Sequence, residues 1–159
     1  MKMQATLRYA APPEVVSAML IDPDFHQQIG QALKATACST APGPDSVQAT
    51  YKIPTSEALK VLPGSEQTLI SQLAWSTPLT DGQRRGQLTL TVERFPATFT
   101  ADLSLSSQDG TTNVTYDAVF KVNIPLVGGA LEKKASGSAQ QILDAGQAIG
   151  ERWLADHGY

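Results

Sequence analysis

Between residues 111 and 124 apolar side chains recur at every second position, and the chain then passes through Pro125 and Gly128-Gly129 into a helical periodicity reaching nearly to the terminus. Val114, Tyr116, Ala118, Phe120, Val122 and Ile124 carry the first pattern, that of a half-buried strand. Leu131, Ala135, Ser138, Ala139, Ile142, Gly146, Ile149 and Trp153 carry the second, so one face of a long helix must find an apolar partner. A series of antiparallel strands closed by one such helix is a sheet curled around it. The small residues in the middle of that face permit two outcomes, close approach of helix to sheet or a void that a ligand fills. Trp153 is expected to anchor the end of the helix against the sheet.

The upstream sequence supplies the other strands. Met3, Ala5, Leu7 and Tyr9 alternate with Gln4, Thr6 and Arg8. Pro12-Pro13 ends this strand and opens a short helix with Val15, Val16, Met19 and Leu20, since proline in the first turn loses no hydrogen bond. Asp22 is the expected cap of a second helix carrying Phe25, Ile29 and Leu33. Strands follow at 36–40, stopped by Pro42-Gly43-Pro44, and at 47–53, 69–75, 88–92 and 99–105, with turn signals at Asp81-Gly82 and Asp109-Gly110. The order is strand, two helices, about six strands, long helix. This is an α+β chain whose 159 residues form a single domain, 1–159, with one core.

Composition removes several functions. A formal charge of -3 with scattered Lys and Arg supplies no basic face for nucleic acid. Arg84-Arg85, in a Gly-flanked turn, reads as a solvated hairpin tip. No apolar run approaches the ~20 residues of a membrane-spanning helix. The lone Cys38 and the absence of a hydrophobic signal region fit a reducing, cytoplasmic setting, and the sequon Asn113-Val114-Thr115 falls inside a strand. His26 and His157 have no ligand partners at metal spacing, so neither metal nor cofactor is expected. Glu132-Lys133-Lys134 reads as the solvated start of the last helix. Between Pro54 and Ser65, Leu59, Val61 and Leu62 make an apolar insertion, either a cap on the sheet or a lid over a cavity.

The element order, the run Pro125-Leu126-Val127-Gly128-Gly129-Ala130-Leu131-Glu132 and the terminal Glu151-Arg152-Trp153-Leu154 resemble the helix-grip superfamily called START or SRPBCC. That group includes lipid-transfer domains, the birch-pollen allergen and polyketide cyclases. More narrowly, the Pro-Leu-Val-Gly-Gly-x-Leu-Glu run looks like a family of uncharacterised, mostly actinobacterial proteins within it. The architectural resemblance spans the whole chain, the motif only its last third. It implies a deep, mostly apolar cavity between sheet and helix, and it brings no catalytic residues.

The residues expected to line that cavity are Tyr51, Trp75, Leu90, Leu103, Tyr116, Phe120, Ile142 and Ile149. The tyrosine hydroxyls need partners when buried, and a ligand oxygen is one candidate beside backbone or water. The first functional reading is a non-catalytic protein enclosing a small hydrophobic or amphipathic molecule. Its rival is a polyketide cyclase- or dehydratase-like enzyme using the same cavity, which requires an inward acid or base: an interior carboxylate, or a His facing a tyrosine, would favour it. A third reading is an interaction module whose cavity is filled by its own side chains.

Overall fold

In the computed structural model, described over residues 1–55 and 64–159, the chain runs β1 (Lys2–Tyr9), α1 (Pro13–Leu20), α2 (Pro23–Ala32), β2 (Ala37–Gly43), β3 (Ser46–Pro54), β4 (Glu66–Trp75), β5 (Gln83–Val92), β6 (Ala97–Gln108), β7 (Thr111–Val122) and α3 (Gly128–Asp156). The insertion with Leu59, Val61 and Leu62 lies outside the described residues. The strands form one antiparallel sheet in the order β1-β7-β6-β5-β4-β3-β2. Its curved inner face holds the core, and α3 packs chiefly on β1, β7 and α2.

Local chemistry sets most boundaries. Asp22 caps α2, its Oδ1 accepting the Asp24 amide at 3.1 Å. Asp109-Gly110 turns between β6 and β7 with both residues at positive φ, 50° and 79°, the backbone that a two-residue hairpin matching strand twist requires. One boundary differs from the sequence reading. β2 does not stop before Pro42 but runs through it to Gly43, with Pro42 opposite Val47. β2 is an edge strand, so the missing proline N–H need not break a ladder bond.

The expected strand register holds on β6 and β7. Leu103 and Tyr116 are buried, Phe120 is half-buried, and Asp102, Asp117 and Lys121 face solvent.

Three side chains have partners that the sequence reading did not anticipate. Trp153 is buried in the core cluster that includes the sheet's inner residues, and its indole N–H also donates to Asp22 Oδ2 at 2.8 Å, a further tie of α3 to the junction of α1 and α2. Arg84 is no solvated tip. It lies opposite Leu105 on the inner face, with Nε donating to the Thr77 carbonyl at 2.8 Å, Nη1 to Ser17 Oγ at 2.8 Å and Nη2 3.1 Å from Asp45. Its guanidinium carbon stands 5.4 Å from the Trp75 ring centre. Glu132 turns back from the helix, Oε1 accepting the Val122 amide at 3.0 Å, and that bond leads the causes holding its carboxyl below the usual range.

Candidate functional site

Cross-strand pairing lays the inward side chains in rows. Arg84, Leu105, Val114 and Leu7 form one row. Trp75, Gly86, Leu103, Tyr116 and Ala5 form the next, with the Trp75 ring lying where a Cβ on Gly86 would sit. Val47, Leu73, Leu88, Ala101, Ala118 and Met3 make the third, and Ala49, Ser71, Leu90, Phe99 and Phe120 the fourth.

Burial falls along this series. Leu105, Val114, Leu103 and Trp75 are sealed, whereas Leu88, Leu90, Phe99 and Phe120 are only half-buried although they point inward. Leu90 and Phe120 also stand outside the packed core cluster. The reason lies in α3. Its second half is locked in place: Ile149 and Trp153 are buried, Tyr9 donates to the Gly146 carbonyl at 3.3 Å, and a Cβ on Gly150 would collide with the Tyr9 ring. Its first half is tied at its start, through Glu132 to the Val122 amide, but its apolar face is less fully covered. Leu131, Ala135 and Ala139 are half-buried and Ile142 is 39% exposed. A partly covered apolar strip, a shallow trough, thus lies beneath the first half of α3, whereas the open clefts among the described residues lie elsewhere, one beside Arg8, Thr111 and Tyr159 and one beside Lys52, Glu66 and Phe95. From Phe120 inward to Tyr116 it spans about 13 Å, four residues of strand rise.

Tyr116 ends the trough. It is 8% exposed, and its hydroxyl has no hydrogen-bond partner among the described residues, where the other interior tyrosines have one. No fully sealed side-chain oxygen or nitrogen of the described residues lacks a partner, so this hydroxyl keeps a small accessible surface; it stands on the side of Tyr9, with which it interacts electrostatically. Burial raises its pKa well above the ordinary phenol value, so it is a neutral O–H donor in apolar surroundings.

Tyr51 is placed differently. It is buried under α2, where Gly30 allows close approach: a Cβ there would lie 3.3 Å from the Tyr51 ring and 3.1 Å from Cys38 Cβ. His26 sits between Leu20 and Tyr51, with Nε2 2.8 Å from the Leu20 carbonyl and Nδ1 3.0 Å from the Tyr51 hydroxyl. The carbonyl can only accept, so Nε2 carries the proton. Burial lowers the His26 pKa and keeps the ring neutral, so Nδ1 accepts from Tyr51. Burial also pushes the Cys38 thiol up, away from nucleophilic thiolate.

The eight expected lining residues therefore separate. Leu90, Phe120 and Tyr116 face the trough, with Ile142 above it on α3. Leu103, Trp75 and Ile149 belong to the sealed core, Trp75 donating from Nε1 to the Ser17 carbonyl at 3.1 Å, and Tyr51 is tied to His26. Sequence reasoning missed His26 as a structural partner. Its signal was available: with Phe25 and Ile29 inward, positions 26 and 30 border the same helix face. Among the described residues no group of three His, Cys, Asp or Glu side chains is arranged to hold a metal, and no helix is long and apolar enough to cross a membrane.

A curved antiparallel sheet gripping a C-terminal helix is the helix-grip, START-like fold. Within it the chain belongs to the family described as "Protein of unknown function (DUF2505)", which matches residues 4–154. No curated protein matches the chain. Among solved structures it is similar to TTHA0849 from Thermus thermophilus, at 14% identity and a TM-score of 0.67 over 100% of both chains. A START superfamily protein from Mycobacterium smegmatis shares 16% identity, with a TM-score of 0.59 over 96% of this chain and 98% of that one. The Zhui aromatase/cyclase from a Streptomyces species shares 11%, with a TM-score of 0.61 over 94% and 90%. At these identities the likeness is one of fold.

Proposed function

We propose that the chain binds a small hydrophobic or amphipathic molecule in the trough under the first half of α3, without catalysis. One observation carries this reading: Leu90 and Phe120 point inward but do not join the core, and the unpartnered Tyr116 hydroxyl lies further in on the same strand face. An occupant would gain roughly 25 cal/mol per Å² of apolar area removed from water. The Tyr116 hydroxyl would orient it by donating to a carbonyl, ether or hydroxyl oxygen. Leu90, Phe120 and Ile142 would form the walls, with Trp75, Leu103 and Ile149 as the rigid floor behind them and Tyr51 in the supporting layer.

The test is thermal denaturation with apolar fluorophores and carbonyl-bearing hydrophobes. A ligand at a hundredfold excess over its Kd adds about 2.7 kcal/mol of stability. Tyr116→Phe should weaken a carbonyl-bearing ligand by about 1 kcal/mol and leave a hydrocarbon unaffected. A broad set of such compounds that never moves the midpoint would sink the reading and leave the filled interaction module.

A specific observation also favours the enzyme reading: a buried His does face a tyrosine, and a Streptomyces aromatase/cyclase shares the fold. Both His26 nitrogens are already engaged, however, and Tyr51 is sealed. A substrate would have to displace one of these bonds before any proton could move. Turnover of a polyketide-like substrate that is lost in His26→Gln while binding persists would establish the enzyme.

A further inference from the structure

The corner where β7 leads into α3 carries a second feature. Leu126 is fully exposed, at 105%, and Val127 is 48% exposed. Leu126 also adopts φ 72°, a left-handed backbone that leucine rarely takes. The turn that holds it there is closed by the Gly128 amide donating to the Ile124 carbonyl at 3.0 Å. A Cβ on Gly128 would meet the Val122 carbonyl oxygen at 2.5 Å, so this close approach requires glycine at 128. Fold stability alone favours Asn or Gly at position 126, because either relieves the backbone and removes exposed apolar surface. Nothing else in the turn requires a leucine.

The charges around this tip are one-sided. Lys121, Lys133 and Lys134 are exposed, and among the described residues none of them lies within ion-pair distance of a carboxylate, although Lys121 is near enough to Glu132 to help lower its pKa. Glu132, the acidic residue beside them, is drawn onto the Val122 amide through Oε1 and is paired through Oε2 with the N-terminal ammonium at 3.4 Å. Three lysines against one glutamate make this stretch positive in a chain of net charge -3. Val127, Ala130 and Lys134 share one helix face by their spacing, so the apolar tip and a cation point the same way.

We propose that this corner docks on an anionic lipid bilayer. Leu126 and Val127 enter the boundary between headgroups and acyl chains, and Lys121, Lys133 and Lys134 lie against the lipid phosphates. The half-buried Phe120 end of the trough lies at the same end of β7, so docking brings the trough opening beside the membrane. The inference rests on the tip and its charges and not on the ligand reading.

Its test is co-sedimentation of the full chain with phosphatidylcholine vesicles, with and without phosphatidylglycerol, at low and high salt. Binding is expected to the anionic vesicles and to fall as salt rises. Each Lys→Gln change at 133 or 134 should weaken it about fivefold. Leu126→Asn with Val127→Ser should abolish it, while Leu126→Asn alone keeps a thermal midpoint at or above that of the parent, which separates lost docking from lost folding. The proposal is overturned if the chain ignores anionic vesicles or if the Leu126→Asn, Val127→Ser variant binds as well as the parent. It is equally overturned if the corner instead mediates lipid-free self-association that the variant loses, which would assign it to a second copy of the chain. No outcome depends on a trough ligand, so this proposal and the ligand reading can fail separately.

Discussion

His26 shows how one buried group couples packing to protonation. Its folded pKa is lowered from the ordinary 6.5, chiefly by burial, against opposing contributions from the Leu20 carbonyl and Asp22. As pH falls the unfolded chain therefore binds the proton first, and stability drops. The contribution is whole above about pH 6.5 and is lost as pH descends toward the folded value. The stability of the parent to urea should fall as pH drops below about 6.5, and His26→Gln should flatten that slope. Tyr51→Phe deprives Nδ1 of its donor and should cost about 1 to 3 kcal/mol, measured in the same way at neutral pH. Sequence showed that Tyr51 was inward and buried. It did not show the partner, because His26 and Tyr51 meet only when α2 closes over β3, and alternation within one strand carries no information about what covers it.

The elements were largely legible, since each rests on a local signal: period-2 runs, the Asp22 cap, the prolines and the Asp-Gly turns. The misses share a cause. Pro42 is tolerated because β2 lies at the edge, Arg84 turns inward because its register places it opposite Leu105, and Trp153 finds Asp22 across the fold. All three depend on sheet order and docking, which no local window contains. Asp22 gains importance from this, serving α2 through Oδ1 and α3 through Oδ2. Trp153→Ala should cost about 3 to 5 kcal/mol as a large-to-small core change. Trp153→Phe keeps most of the ring and isolates the indole bond. In a double-mutant cycle with Asp22→Asn, a coupling of about 0.5 kcal/mol or more would attribute the anchoring to that bond. Additive costs would attribute it to packing alone. His157, stacked 3.7 Å from the Trp153 ring and bonded to its carbonyl at 2.7 Å, extends the same cluster.

At the scale of the whole molecule, sequence correctly implied a sheet around a helix but left open whether the space between them is filled. That depends on how α3 is seated along its length. Its heptad-like spacing is uniform, yet only the half beyond Gly146 is held by Tyr9, Ile149 and Trp153. The gradient from sealed to half-buried rows makes a quantitative claim. Leu103→Ala and Leu105→Ala, in sealed rows, should each cost about 2 to 5 kcal/mol, because the cavity left behind cannot collapse. Leu90→Ala, in the half-buried row outside the core cluster of the described residues, should cost under about 1.5 kcal/mol, because a half-buried side chain loses less area from burial and leaves a site open to solvent rather than a sealed cavity. Equilibrium urea unfolding with unchanged m-values is the measurement, since a constant m keeps the comparison between like transitions. If Leu90→Ala proves as costly as Leu103→Ala, the trough is packed shut in solution and the filled-module reading replaces the binding one. If it is mild in the free protein but becomes costly once a hydrophobe is bound, the difference measures the contacts that Leu90 makes with the ligand.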